Sequence, residues 1–199
     1  MCGIAGVVAL TDIGRLQVSK LRQSIRTLET RGPDDEGIYL CENLGLAQRR
    51  LAIIDTSKAA NQPMWDKTNR YVIIFNGEIF NYKQLRSNFF THEEQQQLRT
   101  SSDTEILLEL YIKQKEKCLP LLEGFFAFVI HDTQEHELFI ARDRFGKKPL
   151  NYFIDYDRFV FASEIKALYE FGIPKELNYE ALRLYLQLAY IPQPMSMLK

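Results

Sequence analysis

The second residue of the chain is a cysteine, which could act as a nucleophile without help from another side chain. The chain begins Met1-Cys2-Gly3, and an initiator methionine is usually removed when a small residue follows it. Cys2 would then carry a free α-amino group, and such groups have a pKa of about 7.7–8.0, which suits a general base at neutral pH. One residue would supply both the thiol and its base. Taken alone, a second-position cysteine is weak evidence, so further residues must support this interpretation.

Several short segments, spread over the whole chain, occur in the order that is typical of one enzyme family. They are Met1-Cys2-Gly3-Ile4-Ala5-Gly6, Arg31-Gly32-Pro33-Asp34, Arg49-Arg50-Leu51-Ala52-Ile53-Ile54-Asp55, Phe75-Asn76-Gly77-Glu78-Ile79-Phe80-Asn81, Ser102-Asp103-Thr104-Glu105, Phe126-Ala127-Phe128, Arg142-Asp143-Arg144-Phe145-Gly146 and Ala162-Ser163-Glu164-Ile165-Lys166-Ala167-Leu168. The first two resemble the class II glutamine amidotransferases, whose glutaminase domain is an N-terminal-nucleophile hydrolase. The others resemble the asparagine synthetase branch of that family. Any one segment is weak evidence, but together they make chance agreement negligible.

The resemblance implies a fold and a reaction. The implied fold is α+β, the N-terminal-nucleophile hydrolase αββα sandwich, in which two antiparallel sheets lie between helical layers. The implied reaction is hydrolysis of glutamine to glutamate and ammonia, through thiolate attack on the side-chain amide, a tetrahedral oxyanion and a glutamyl thioester. In the full-length protein, the ammonia would serve the ATP-dependent amidation of a carboxylate acceptor, either aspartate or a related compound.

The resemblance also assigns catalytic roles. Beside the nucleophile Cys2, it implies that Asn76 and Gly77 form the oxyanion hole. A side-chain amide and a glycine N–H at the end of a strand can both point at a developing negative charge. The structural alternative is that Asn-Gly is a frequent hairpin-turn dipeptide.

Other residues are assigned to the two ends of the substrate. Arg50 would hold the α-carboxylate of glutamine, because a guanidinium matches a carboxylate in a bidentate pair. Asp103 would bind the α-ammonium, with help from Glu78; its structural alternative is a favourable interaction with a helix dipole. Backbone groups of Leu51, Ile53 and Ile54 would run beside the substrate. Alternation along a strand would place Arg49 on the opposite face from Arg50, so Arg49 is interpreted as solvated or structural.

Two positions depart from the family pattern. Gln48 stands where many relatives have a histidine, and Asn151 stands where an aromatic residue is usual. We expect neither to touch the residues that carry the chemistry.

The composition limits the cofactors and partners. With 46% hydrophobic and 26% charged residues and a net charge of -1, the chain is typical of a soluble globular protein without a nucleic-acid partner. Its N-terminal apolar run, residues 4–10, is too short to cross a membrane. Cys2, Cys41 and Cys118 and the three histidines lack disulfide-framework or metal-ligand spacing. We therefore predict no metal and no cofactor for this domain, and a cytoplasmic location.

The periodicity of apolar residues predicts the elements that must position these residues. Strands are predicted over residues 4–10, 37–40, 46–55, 71–75, 125–131, 137–141, 151–154 and 158–162. One helix is predicted from Val18, Leu21, Ile25 and Leu28, ending at Gly32-Pro33, and another is capped by Asn81. Further helices begin at a Ser102-x-x-Glu105 capping box and cover 164–171 and 179–190. Adjacent hairpins with helices in separate blocks favour antiparallel sheets covered by helices.

Residues 1–199 are predicted to form one glutaminase domain, with roughly 175–199 leading toward an absent C-terminal synthetase domain. Ile191-Pro192-Gln193-Pro194 looks like the start of that connection. Because the family's nucleotide-binding serine-glycine-rich loop does not occur in the chain, ATP and magnesium are expected only for the absent domain. The predicted partners are glutamine and that synthetase domain, and a homodimer is an open alternative.

Two other interpretations of the function stay open. One is a different amidotransferase branch, which would feed ammonia to a sugar phosphate or a phosphoribosyl acceptor; segments 49–55 and 102–105 disfavour it. The other is a degenerate domain kept for binding or regulation. The presence together of Cys2, Arg50, Asn76, Gly77 and Asp103 argues against that second alternative.

Overall fold

The computed structural model describes residues 1–192 and 194–199, which form nine strands and seven α-helices. The strands are β1 (Gly3–Ala9), β2 (Asp35–Leu40), β3 (Leu44–Arg50), β4 (Met64–Trp65), β5 (Tyr71–Ile79), β6 (Gly124–Asp132), β7 (Glu137–Arg142), β8 (Asn151–Ile154) and β9 (Arg158–Ala162). The helices are α1 (Asp12–Val18), α2 (Leu21–Arg26), α3 (Tyr82–Phe89), α4 (His92–Gln96), α5 (Asp103–Gln114), α6 (Ile165–Tyr169) and α7 (Tyr179–Leu188).

The strands form two antiparallel sheets. The five-stranded sheet has the order β2-β3-β1-β9-β8, and the four-stranded sheet has the order β4-β5-β6-β7. Apolar residues of α1, α2 and α6, such as Ile25 and Leu168, cover the outer face of the first sheet. Residues of α3 and α5, such as Leu85 and Leu107, cover the outer face of the second. The predicted sandwich of two antiparallel sheets between helical layers is therefore confirmed.

The layer between the two sheets changes character along its length. Its core is apolar and buried, and consists of Ile4, Leu44, Leu46, Val72, Ile74, Ala127, Val129 and Phe161. Side chains alternate between faces along a strand, so the next inward positions beyond Leu46 and Ile74 are Gln48 and Asn76. At this end of the layer the inward side chains become polar. The sandwich therefore opens at one end onto groups that can do chemistry.

Two predicted elements, one helix and one strand, differ most clearly in their limits. The single helix predicted through Val18 and Leu28 is two helices, α1 and α2. The chain turns at Ser19 and Lys20, because the Lys20 N–H bonds to the carbonyl of Gln17, three residues earlier, and not to the one four residues earlier as in an α-helix. Its apolar face is nevertheless buried. The strand predicted over 46–55 ends at Arg50, where Asp34 donates its N–H to the Arg50 carbonyl and accepts the N–H of Ala52. These contacts turn the chain away from the sheet and across the polar end of the layer.

The predicted end of a strand at Asn76-Gly77 is wrong. β5 continues to Ile79, with Asn76 opposite Ala127 and Gly77 opposite Phe126 on β6. Pairing along the whole of β6 therefore overrides the local turn preference of the Asn-Gly dipeptide. As a result, Asn76 lies inside the sheet and its side chain points between the two sheets.

The predicted helix starts are only partly confirmed. Ser102 accepts the N–H of Glu105, as an N-cap should, but the Glu105 carboxylate binds the N–H groups of Arg99 and Thr100 instead of closing a capping box. Asn81 precedes α3 without capping it, because its side-chain amide bonds to the backbone of Leu121 and Glu123.

The last helix begins as predicted and ends slightly earlier. Asn178 caps α7 by accepting the N–H groups of Glu180 and Ala181, and the helix ends at Leu188 with Ala189 in a left-handed conformation. The predicted connection Ile191-Pro192-Gln193-Pro194 includes Gln193, which lies outside the described residues. Across the described ranges, no helix has the length and apolar character that a membrane span requires.

Candidate active site

A cavity opens at the polar end of the layer between the sheets, and every residue assigned to the site by the sequence lines it. These residues are Cys2, Arg50, Leu51, Ile53, Ile54, Asn76, Gly77, Glu78 and Asp103. The cavity contains about 650 Å³ of space between atoms, part of which is open to solvent. Strands β3 and β5, the start of β1 and the first turn of α5 each supply part of its wall.

The thiol of Cys2 faces the backbone just after β3. The N–H of Leu51 donates to the Cys2 Sγ over 3.4 Å, and the Sγ lies 3.7 Å from the Leu51 carbonyl oxygen. The thiol is half-buried, so the fold shelters it but leaves it open to the cavity.

The Arg31-Gly32-Pro33-Asp34 segment contacts both Cys2 and the end of β3. Arg31 Nε donates to the Cys2 carbonyl over 2.9 Å, and its Nη1 pairs with Glu164 over 2.9 Å. Gly32 lies so close to the backbone of Arg49 and Arg50 that a Cβ there would overlap it. The segment therefore fixes Cys2 at one end and β3 at the other.

Arg50 presents its charge to the cavity without an acidic partner among residues 1–192 and 194–199. Its Nη1 donates to the carbonyl of Ser57 and to the side-chain oxygen of Asn61, and its Nη2 donates to the carbonyl of Asp55. These three neutral acceptors use three of the five guanidinium N–H groups. A buried cation held this way, with two donors left, is suited to an incoming carboxylate.

Arg49 points to the other side of the strand, as alternation predicts. It pairs with Glu36 at 3.2 Å and Glu29 at 3.7 Å, and its side chain is only 12% exposed. Arg49 was interpreted as either solvated or structural. Its burial and its two ion pairs show that it has a structural role and is not a solvated surface residue.

Asn76 is a buried amide that lacks partners within the part of the chain that the structure describes. It is 0% exposed, and neither its Nδ2 nor its Oδ1 makes a hydrogen bond there. Buried polar groups are nearly always paired, so an amide without protein partners in a cavity wall is suited to binding a ligand. At Gly77, a Cβ would overlap the Phe125 carbonyl oxygen and the Phe75 ring, so only glycine fits beside Asn76.

Two glutamines hold the edge of β5 immediately before Asn76. Strand β4 pairs with β5 only at Val72 and Ile73, which leaves Phe75 without a neighbouring strand on that side. The Gln62 Oε1 accepts the N–H of Phe75 over 2.6 Å, and the Gln48 Nε2 donates to the Phe75 carbonyl over 3.2 Å. These side chains replace the missing strand and hold the backbone that presents Asn76.

Asp103 lies in the first turn of α5, and its Oδ2 accepts the N–H of Ile79 over 2.9 Å. The pKa of Asp103 is raised to about 6, mainly by burial, with a smaller contribution from the charge of Glu78; the N–H groups of Ile79 and Thr104 act in the opposite direction. Glu78 itself is exposed and lines the same cavity. The helix therefore carries a carboxylate to the end of β5, where it and Glu78 form the acidic side of the site.

The loop after β3 is tied to the start of α5. Asp55 accepts the N–H of Ser57 and both the N–H and the hydroxyl of Ser101. The Ser57 hydroxyl and these N–H groups lower the pKa of Asp55 to about 2. Ile53 and Ile54 belong to this loop, which covers the cavity beside Leu51 and Arg50.

Comparisons with known proteins identify the family of the chain. Residues 1–199 match the glutamine amidotransferase domain family. The chain belongs to this family. It is 38% identical to asparagine synthetase [glutamine-hydrolyzing] 1 of Bacillus subtilis, over 99% of the chain and 31% of that protein. It is 39% identical to asparagine synthetase [glutamine-hydrolyzing] 3 of Arabidopsis thaliana, over 84% of the chain and 28% of that protein.

A solved amidotransferase structure shares the fold. The glutamine phosphoribosylpyrophosphate amidotransferase of B. subtilis matches with a TM-score of 0.67 and 23% identity, over 86% of this chain and 44% of that one. The amidotransferase domain therefore has the predicted N-terminal-nucleophile architecture, and the predicted resemblance to the asparagine synthetase branch is confirmed. The chain spans about a third of the length of the curated relatives named above.

Sequence reasoning missed other residues of the amidotransferase site. Gln48, which we expected not to touch the residues that carry the chemistry, lines the same cavity as Cys2 and Asn76. The sequence indicated the position of Gln48, because it lies two residues before Arg50 and therefore on the same face of the strand. Gln62 and Lys148 also line the cavity, and their sequence surroundings gave no sign of it.

The raised pKa of Asp103 predicts how glutamine binding depends on pH. The carboxylate is charged above its pKa of about 6 and neutral below it, so it can hold a substrate ammonium only above that pH. We expect the KM for glutamine to rise as the pH falls from 7.5 to 5.5. In Asp103→Asn, the KM should be about ten- to a hundredfold higher at pH 7.5 and should change much less with pH.

The control is Asp12→Asn, which changes an exposed carboxylate on α1 and should leave the KM and its pH dependence unchanged. A KM for Asp103→Asn equal to that of the unmodified protein would reduce Asp103 to a helix-start residue.

Proposed function

We propose that this chain hydrolyses glutamine to glutamate and ammonia, with Cys2 as the N-terminal nucleophile. The observation that carries the proposal is the buried, unpaired amide of Asn76 in the wall of the cavity that Cys2 opens into. Such a donor is suited to an oxyanion, which a tetrahedral intermediate at a substrate amide would form.

Removal of Met1 precedes catalysis and frees the α-amino group of Cys2. This amine takes the thiol proton, and the thiolate attacks the amide carbon of glutamine, so that the carbonyl π electrons move to oxygen. The C–N bond then breaks, the protonated amine returns a proton to nitrogen, and ammonia leaves a glutamyl thioester. Water attacks the thioester in the same way and releases glutamate and the thiol.

The oxyanion forms against Asn76 and Gly77. The Nδ2 of Asn76 is free to donate because the described part of the chain gives it no partner. Gly77 brings its backbone close to the substrate, since it carries no side chain. Both groups are held in place by the pairing of β5 with β6, so they need no reorganisation as the charge develops.

The two ends of the substrate match opposite charges of the cavity. The α-carboxylate binds the two free donors of Arg50, and the α-ammonium binds Asp103 with help from Glu78. The backbone of Leu51, Ile53 and Ile54 runs along the substrate between them. This arrangement accepts an amino acid whose amide reaches the Cys2 thiol.

We further propose that the ammonia serves a synthetase domain to which roughly residues 175–199 lead. That domain would use ATP and magnesium to amidate a carboxylate acceptor, aspartate or a related compound. The similarity to asparagine synthetases supports this proposal. The cytoplasmic location and the homodimer stay predictions from the sequence.

The α-amino group gives the first prediction for this mechanism. A chain that retains Met1 behind an N-terminal tag should lose glutamine hydrolysis, because the amine is then no longer attached to Cys2. Met1 is 58% exposed, so the tag should not change the fold or the melting temperature. The measurement is glutamate release, with mass spectrometry to establish the N-terminus.

A C-terminal tag on a chain with processed Cys2 is the control and should keep full activity. Full activity of a preparation that retains Met1 would show that the α-amino group of Cys2 is not the base.

The oxyanion role of Asn76 gives the second prediction. Asn76→Ala removes the donor and should lower kcat for glutamine about a hundred- to a thousandfold. Asn76→Asp also places a negative charge against the intermediate and should lower kcat further. KM should change less, because the ground-state amide carries only a partial charge.

The control is Asn69→Asp, which changes an exposed turn residue and should leave kcat and KM unchanged. A thermal melt shows whether each variant folds. A folded Asn76→Ala protein that keeps more than a tenth of the original kcat would remove Asn76 from the mechanism.

A further inference from the structure

We propose that Gln48 makes the site select a side-chain amide over a carboxylate, by accepting an N–H of the substrate's amide group through its Oε1. This inference rests on the proposed function, because it concerns the same substrate in the same cavity. It assigns a specificity-determining role to a residue in the wall of the cavity. The role is to distinguish glutamine, the substrate, from glutamate, the product.

The Oε1 of Gln48 is a buried acceptor without a donor among the described residues. Gln48 is 1% exposed, lies on β3 two residues before Arg50 and opposite Ile4 of β1, and lines the cavity. Its Nε2 donates to the Phe75 carbonyl, whereas its Oε1 makes no hydrogen bond. A buried acceptor without a donor is costly unless a ligand or a water supplies one.

The orientation of the Gln48 amide is fixed by its neighbours. If the amide were turned over, Oε1 would face the Phe75 carbonyl oxygen, and two acceptors would then meet. Gln62 cannot relieve that contact, because its Oε1 already accepts the Phe75 N–H and its Nε2 donates to the Thr104 hydroxyl. The strand edge therefore requires Nε2 at Phe75 and leaves Oε1 without a donor among the described residues, on a side chain that lines the cavity.

The side chains that line the cavity with Cys2 thus include one donor, the Asn76 Nδ2, and one acceptor, the Gln48 Oε1, that have no partner among the described residues. A carboxamide has a carbonyl oxygen, which the Asn76 Nδ2 can bind, and an NH₂ group, which the Gln48 Oε1 can bind. A carboxylate has oxygens on both sides and would place one of them against the Gln48 Oε1. Glutamine should therefore bind about ten- to a hundredfold more tightly than glutamate, as expected for one buried hydrogen bond gained or an acceptor pair formed.

The same contact persists as the amide nitrogen becomes ammonia. The nitrogen keeps at least two hydrogens through the tetrahedral intermediate, so Gln48 can accept from it in the ground state and in the transition state. An interaction of equal strength in both states affects binding more than turnover. Loss of the acceptor should therefore raise the KM for glutamine and change kcat little.

The test compares dissociation constants for glutamine and glutamate in the Cys2→Ala chain, which binds without turnover. With Gln48 present, glutamine should bind about ten- to a hundredfold more tightly than glutamate. In Cys2→Ala with Gln48→Met, glutamine should lose most of that advantage and the ratio should approach one. An unchanged ratio in a folded Gln48→Met protein would overturn the inference.

Gln62→Met is the matched control, because Gln62 supports the same strand edge but has both polar atoms occupied. It should weaken both ligands alike and leave their ratio unchanged. If Gln62→Met also abolishes the ratio, the effect belongs to the strand edge and the inference is wrong.

Gln48→His keeps the inference testable if Gln48→Met does not fold. A neutral imidazole can donate to the Phe75 carbonyl through one nitrogen and accept in the cavity through the other, so the ratio should persist at pH 8. At pH 6 the protonated ring donates from both nitrogens, and the preference for glutamine over glutamate should decrease. Asp103 titrates in the same pH range. Because it binds the α-ammonium group, which both ligands have, its titration should weaken both ligands equally and leave the ratio of their dissociation constants unchanged.

A ratio in Gln48→His that does not respond to pH would overturn the inference. If Cys2→Ala binds neither amino acid, the proposed function fails and the inference fails with it. Binding of glutamine with a ratio that Gln48 does not control would leave the proposed function intact and reject only the role of Gln48.

Discussion

The packing of the two sheets face to face is the constraint on which the site depends. Alternating residues of β1, β3 and β5 must point into the layer between the sheets, because a strand presents every second side chain to the same face. Over most of the layer these residues are apolar and bury one another. At one end the same alternation delivers Gln48, Arg50 and Asn76, which a sandwich core would otherwise exclude. The site therefore lies at the polar end of the layer between the sheets, and the strands that form the core also position its polar groups.

At the polar end, hydrogen bonds from side chains to the backbone replace the missing strand neighbours. Gln48 and Gln62 bond the free edge of β5 at Phe75, and Arg31 bonds the carbonyl of Cys2. Each contact holds a group that must not move when charge develops. The atoms of Gln48 and Asn76 that have no partner within the described part of the chain belong to side chains that line the cavity. Structural and catalytic hydrogen bonds therefore share the same side chains.

Much of this architecture is readable from the sequence, since two-residue and helical periodicities depend only on which residues are apolar. The hairpins over 125–141 and 151–162 are correct for this reason. The errors lie where distant contacts decide. Asn76-Gly77 has the composition of a turn but pairs along β6, and the strand after Arg50 ends because Asp34 bonds the backbone there.

The site residues were predicted from their resemblance to a family, and the structure places all of them around one cavity. Gln48 could have been found from its place two residues before Arg50, on the same face of β3. Gln62 was missed because its role depends on the free edge at Phe75, which is present because β4 has only two residues. No local pattern in the sequence contains the length of a neighbouring strand. The unpaired Gln48 Oε1 is likewise a property of the assembled layer.

The most direct test of the account is to react the processed protein with a diazoketone analogue of glutamine and to locate the adduct by intact-mass analysis and peptide mapping. The three cysteines are free and differ in setting, so the chain contains its own controls: Cys41 is exposed, and Cys118 is buried with its pKa raised by burial to about 11. The account predicts one adduct per chain, located on Cys2 and prevented by excess glutamine. No adduct, or an adduct on Cys41 that excess glutamine does not prevent, would contradict it.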